Sequence, residues 1–227
     1  MKKLLSVLSV FALAAIAAGT ASAGSIATPT GLNPGDQFRI VFLTFPASAT
    51  LPTSSNLSTY DNIVSSDATG YTYGGNSPIW KAIVSNSTTD ARDHIGLLST
   101  SLNPLYTVDG TKVSTGNLWS GTLLSPINRF IDGGITNAIV YTGTKADGTK
   151  SNPVGPVGTD WVNVGFAANT DSTWTAYTQS SPAAYRQLYG ISDVLTVPAA
   201  VPEPSTVMLV GLGGLAALGY SFKRKRS

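Results

Sequence analysis

Residues 206–222 carry no charged side chain and are followed at once by Lys223-Arg224-Lys225-Arg226. Wound as an α-helix, these seventeen residues would be about 25 Å long, the lower edge of what crosses a bilayer core. Gly211, Gly213, Gly214 and Gly219 weaken a helix in water but are ordinary in a membrane helix. The plain alternative is a buried core helix, and four consecutive cations directly after the apolar run argue against it. Such a cluster stops a segment in the membrane and stays on the inner side. The pattern therefore predicts one transmembrane helix over 206–222 and a membrane-stop tail of Lys223, Arg224, Lys225 and Arg226. The rest of the chain then faces outward.

The N-terminal residues read as a secretory signal peptide. Lys2 and Lys3 precede an apolar run over residues 4–18, and Ala21-Ser22-Ala23 fits the small-x-small cleavage rule. Cleavage is expected between Ala23 and Gly24. A retained helix is the other possibility; the short run and its small residues speak against it.

Ahead of the apolar C-terminal run stands Val201-Pro202-Glu203-Pro204-Ser205, and Glu203 is the only glutamate in the sequence. Pro-Glu-Pro, a short apolar helix and a Lys/Arg tail, in that order, resemble the PEP-CTERM signal of Gram-negative bacteria. The same segment is also labelled the C-terminal domain of ice-binding proteins. The resemblance implies that Pro202, Glu203 and Pro204 are recognised by an exosortase. That peptidase would cut nearby and release the protein to the cell surface or an exopolysaccharide matrix. No repeated Thr-x-Thr ladder accompanies it, so the ice-binding label implies no ice-binding face. The expected plan is a signal peptide at 1–23, an extracytoplasmic β-rich domain at 24–200 and a sorting signal at 201–227.

Composition supports an exported domain. Only 11% of the 227 residues are charged, against roughly 25% in ordinary soluble domains. Ser, Thr, Asn and Gly replace them, which favours turns and strands. The formal net charge of +2 misleads, because six of the fourteen Lys and Arg lie in the two terminal segments. Between them, eight basic residues face eleven Asp. The middle is weakly acidic, with no basic patch for nucleic acid. No cysteine is present, so about 175 residues must be held by core packing alone.

The middle alternates short β-rich runs with turn signals. Strands are expected over 37–43, 79–85, 138–142, 161–166 and 174–177, with a strand-rich close over 187–197. Ser58 or Thr59 is read as the cap of a short helix over 60–66. Asp109-Gly110, between 105–108 and 111–113, predicts a hairpin with a type I′ turn. The expected core comprises Phe38, Ile40, Phe42, Trp80, Ile83, Leu105, Trp119, Val140, Trp161, Leu188, Ile191 and Leu195, with first and last strands close together. Long helical periodicity is absent, and the fold class is α+β with strands dominant.

Several segments carry a further resemblance: Trp80-Lys81-Ala82-Ile83, Asp90-Ala91-Arg92-Asp93, Pro104-Leu105-Tyr106-Thr107-Val108-Asp109-Gly110, Leu118-Trp119-Ser120-Gly121, Pro126-Ile127-Asn128 and Val140-Tyr141-Thr142-Gly143-Thr144-Lys145-Ala146-Asp147-Gly148. Their order is similar to a domain of unknown function in exported bacterial proteins and, more faintly, to the endostatin module of collagens. The resemblance implies a single C-type-lectin-like domain. The sequence lacks the cysteines of endostatin. It also lacks the Glu-Pro-Asn or Gln-Pro-Asp and Trp-Asn-Asp triplets of calcium-dependent sugar-binding lectins. Fold likeness alone assigns no function.

Residues suited to catalysis are sparse. Nucleophilic catalysis needs a base beside a hydroxyl or thiol. The chain has one histidine and no cysteine, and no Gly-x-Ser-x-Gly elbow. His94 has Asp90 and Asp93 as sequence neighbours, yet a lone histidine in a polar loop is ordinarily a surface residue. One histidine makes a poor zinc site. Calcium needs only oxygen donors, for which Asp109, Asp132, Asp147 and the Asp90/Asp93 pair are candidates; none forms an Asp-x-Asp-x-Asp-Gly loop. The four tryptophans read as core before they read as sugar platforms. No catalytic, cofactor or metal residue is assigned. The expected function is an exosortase-sorted surface or matrix protein, transiently membrane-anchored, with a non-catalytic binding or structural module and exopolysaccharide as the matrix partner. The competing reading is a hydrolase of extracellular polysaccharide acting through Asp residues.

Overall fold

The computed structural model describes residues 24–98, 100–151 and 155–199. The chain turns at Asn33-Pro34-Gly35, where Asp36 Oδ2 accepts the Asn33 N–H at 2.7 Å, and enters β1, Gln37–Leu43. Phe38, Ile40 and Phe42 project to one face of this strand, Val41 and Leu43 to the other, and all five are buried. A strand covered on both faces must be central, and β1 is. The helix α1, Leu57–Asp67, packs on the first face through Leu57, Tyr60 and Val64, positions that share one side of a helix. Its cap is Asn56, whose Oδ1 accepts the Ser58 N–H at 3.1 Å. The cap thus falls two to three residues before the expected Ser58 or Thr59.

The remaining elements are β2 (Trp80–Ala82), α2 (Ala91–His94), β3 (Leu105–Tyr106), β4 (Lys112–Ser114), β5 (Ile139–Tyr141), β6 (Val162–Phe166), β7 (Thr178–Ser180), β8 (Tyr189–Ser192) and β9 (Leu195–Thr196). The larger sheet runs β2-β8-β1-β3-β4, with β9 also on β1; the smaller is β5-β6-β7. β8 lies antiparallel to β1 (Val41↔Ile191) and β3 parallel to it (Arg39↔Leu105). β9 closes the domain against the start of β1 through Gln37↔Thr196 and Phe38↔Leu195. The expected meeting of first and last strands is therefore a direct hydrogen-bonded pairing. The strand-dominated α+β class also holds.

Two cores result. One lies under α1 and includes Phe38, Phe42, Tyr60 and Trp80. The other lies beyond the opposite face of β1, around Leu118, Trp119, Trp174 and Tyr189. In the first, burial pushes the Tyr60 hydroxyl up to about 12, a shift only partly opposed by the Ser54 N–H that donates to its oxygen at 3.1 Å. Eleven of the twelve expected core residues are buried. The exception is Trp161, 51% exposed. It precedes β6 with the opposite parity to the buried Val162 and Val164, so the two-residue period that turns those valines inward turns Trp161 out.

Two further expectations are corrected. Residues 174–177 are not a strand: Asp171 caps a 3-10 turn, Ser172–Trp174, by accepting the Thr173 N–H at 3.0 Å, and β7 begins only at Thr178. The 105–114 hairpin forms, but its turn is not type I′. Among described residues no non-glycine has positive φ, and Gly110 alone takes +83° there. With the Gly110 N–H on the Thr107 carbonyl at 2.9 Å, this is a type I turn followed by a left-handed glycine, and the register shifts accordingly.

Candidate functional site

His94 ends α2, and its Nε2 lies 2.9 Å from Asp61 Oδ1 on α1. The same oxygen accepts the Ala82 N–H at 2.8 Å, and Lys81 Nζ donates to the His94 carbonyl at 2.7 Å. The partner is thus Asp61, 33 positions away, and not Asp90 or Asp93. Asp90 instead faces Arg92 and Lys150, at 3.5 and 3.6 Å. The pair joins α1, β2 and α2. Asp61→Ala strands the Ala82 N–H as well as the imidazole. It is expected to cost about 1–3 kcal/mol in denaturant unfolding.

The turn aspartates share one local device. Asp147 Oδ1 accepts the Thr149 N–H and hydroxyl at 3.0 and 2.6 Å. Asp171 does the same with Thr173. Asp109 accepts the Thr111 N–H and hydroxyl at 3.3 and 3.1 Å and also the Thr107 hydroxyl, and pairs with Arg129 Nε at 2.9 Å. Burial pushes the Asp109 and Asp147 carboxyls up, but these hydrogen bonds and the nearby cations outweigh it, and both end below the ordinary value. For Asp171, the Thr173 bonds lower it directly. These carboxylates are occupied as turn braces. Among described residues no three His, Cys, Asp or Glu gather as a metal site.

The sign of the pH effect follows. A carboxyl whose folded pKa is depressed adds stability that is complete above the unfolded value of about 3.9 and lost as pH falls through the folded one. Stability is therefore expected to fall below about pH 4, and Asp109→Asn to flatten that acid limb of a melting-temperature titration.

A cation pair escaped sequence reading. Arg39 donates to the Ile95 carbonyl at 2.9 Å and the Ser192 carbonyl at 3.3 Å. With Lys81 it borders a recess of about 230 Å³ that also includes Ile79, Ile191 and Asp193. Burial lowers the Arg39 pKa, partly offset by Asp193. Both cations aim at carbonyls at the C-terminal end of α2, Lys81 at His94 and Arg39 at Ile95, the end where positive charge is favoured. No run of adjacent residues signalled this, because β1, β2 and the segment after α2 meet only in the fold. A second recess, of about 400 Å³, lies between Tyr73, Asn76, Pro78, Asp193, Leu195 and Pro198.

Aromatic side chains do reach the surface. Trp161, Tyr177 and Tyr185 are 51%, 52% and 67% exposed, and Tyr177 lies 5.8 Å from Phe166, centroid to centroid. Trp80, Trp119 and Trp174 are buried.

Of the processing residues, Gly24 is described. Its carbonyl accepts the Thr72 N–H at 3.0 Å, the Ile26 N–H returns to the Thr72 carbonyl at 2.9 Å, and a side chain at 24 would meet the Tyr71 ring. Ala21, Ala23, Pro202, Glu203, Pro204, Lys223, Arg224, Lys225 and Arg226 lie outside the described residues, as does the expected helix over 206–222. No helix among the described residues is long and apolar enough to cross a membrane. No curated protein matches the chain. Residues 200–225 match the PEP-CTERM protein-sorting motif, so the chain carries the sorting signal of an exosortase substrate.

Proposed function

We propose that this chain is a surface or extracellular-matrix protein whose 24–200 domain is a non-catalytic binding module, freed from its membrane helix by exosortase. The observation that carries the reading is the sorting motif over residues 200–225. The residue types fit it: the histidine is clasped by Asp61 and three turn aspartates are braced by threonines. The C-type-lectin-like reading draws support from the pairing of first and last strands, β1 with β9. Exopolysaccharide as partner draws support from Trp161, an amphipathic ring half in solvent of the kind that stacks on apolar sugar faces.

Mass spectrometry of the protein recovered from its native host tests the processing. A mature chain is expected to begin at Gly24 and end near Pro204; intact Arg226 and Ser227 on every surface copy would mean a permanent anchor. Mature protein is expected to bind polysaccharide of the host matrix without turnover. Trp161→Ala should weaken that binding while leaving the melting temperature within the small range of surface substitutions. Hydrolysis that an Asp→Asn change abolishes would install the enzymatic reading in its place.

A further inference from the structure

The last described residues are held at the start of β1. The Gly35 N–H donates to the Val197 carbonyl and the Val197 N–H to the Asp36 carbonyl, each at 2.9 Å. The backbone is thus zipped to β1 through Val197. Pro198 then rests against the Gly74 turn, its Cγ 3.5 Å from where a Cβ at 74 would stand. From Pro198 to Pro202 the chain advances four residues, about 14 Å at full stretch, and to residue 206 eight residues, about 28 Å. A globular domain of this length is about 40 Å across. Both reaches are shorter than the domain, so the folded domain cannot roll its far side toward the membrane.

We propose that the surface around this exit, made by the Gly74–Pro78 turn and the Asp193–Pro198 segment, is the face the folded domain turns to its membrane-embedded sorting peptidase. This rests on reading residues 200–225 as a signal cut near Pro204. Asn76 and Ser77 are exposed there, beside the 400 Å³ recess. The two segments hold one charge, Asp193, whose Oδ1 accepts the Ile79 N–H at 3.1 Å. The two segments contain no Lys or Arg to attract anionic headgroups, and Arg39 and Lys81, on the neighbouring recess at Asp193, are turned to carbonyls. A partner of neutral, hydrogen-bonding protein surface fits it, and the bilayer does not.

The chain has no cysteine, so single cysteines report cleanly. Ser77→Cys marks the exit face. Ala183→Cys marks the far end: β1 runs about 20 Å from the exit to Leu43, opposite Tyr189, and Ala183 is exposed beyond it. Each full-length variant, in membranes containing the peptidase, is conjugated to a bulky maleimide polymer, and conversion is followed by mass. Conjugation at position 77 is expected to slow conversion roughly tenfold or more, since misplacing a scissile bond is costly. Conjugation at 183 should leave the rate unchanged. Equal rates for the two conjugates overturn the proposal. So does quenching of a fluorophore at position 77 by nitroxide-headgroup lipid in peptidase-free phosphatidylethanolamine–phosphatidylglycerol vesicles, which would give the face to the bilayer. Failure of the unlabelled chain to be cut near Pro204 overturns the sorting reading itself, a result separate from either label's effect.

Discussion

Trp174→Ala is expected to remove about 3–5 kcal/mol of stability, a large share of the roughly 5–15 kcal/mol that holds a domain folded. The indole is completely buried, stacks on Trp119 with ring centroids 5.9 Å apart, and meets Tyr189 at 5.5 Å. It stands where the 3-10 turn before β7 packs against β8, so its loss opens a cavity lined by two large rings that cannot both collapse into it. Its Nε1 is buried with no hydrogen-bond partner. Trp174→Phe discards that unsatisfied donor while keeping a ring, so it should cost clearly less than the alanine. The check is denaturant unfolding at constant slope, where the midpoint shift reports stability. Equal losses for both variants would contradict this account of the site.

Gly165→Val is expected to cost at least about 3 kcal/mol, the upper end of overpacking. Strand propensity alone predicts a gain, since valine suits β-structure better than glycine. The structure reverses the sign. A Cβ at 165 would overlie the Trp174 carbonyl oxygen, 2.6 Å from its carbonyl carbon and 2.9 Å from the Thr175 Cα. Those are backbone atoms and cannot swing aside, so β6 or the 3-10 turn must move. The counterpart is Thr178→Val on the exposed β7 position, where the change is expected to stay within about 0.5 kcal/mol. Melting temperatures of the two variants separate propensity from close approach.

Local chemistry was legible where it is self-contained. β1 was read to its ends because the Asn33-Pro34-Gly35 turn and the alternation of Phe38, Ile40 and Phe42 both lie within one short stretch. The hairpin at Asp109-Gly110 was equally local, although the turn type was not. Type I′ needs positive φ at both central residues, and the fold granted it only to Gly110. The strand expected over 174–177 failed because aromatic content does not separate a strand from a capped turn. The Asp171–Thr173 hydrogen bond, also local, outweighed it.

What the sequence by itself determined is the C-terminal sorting signal. A Pro-Glu-Pro segment, an uncharged run and a basic tail stand in one contiguous stretch, so they are legible without any tertiary contact. The strand-dominated class and most of the core were also set by the sequence, through two-residue alternation and turn residues. Only the tertiary structure decided the pairings between distant segments. It gave His94 to Asp61, turned Arg39 and Lys81 onto carbonyls at the end of α2 and zipped Val197 to Asp36. The reason is physical: partners far apart in sequence leave no periodic trace, and an imidazole or an indole is assigned its role by what the fold brings within about 3–6 Å of it.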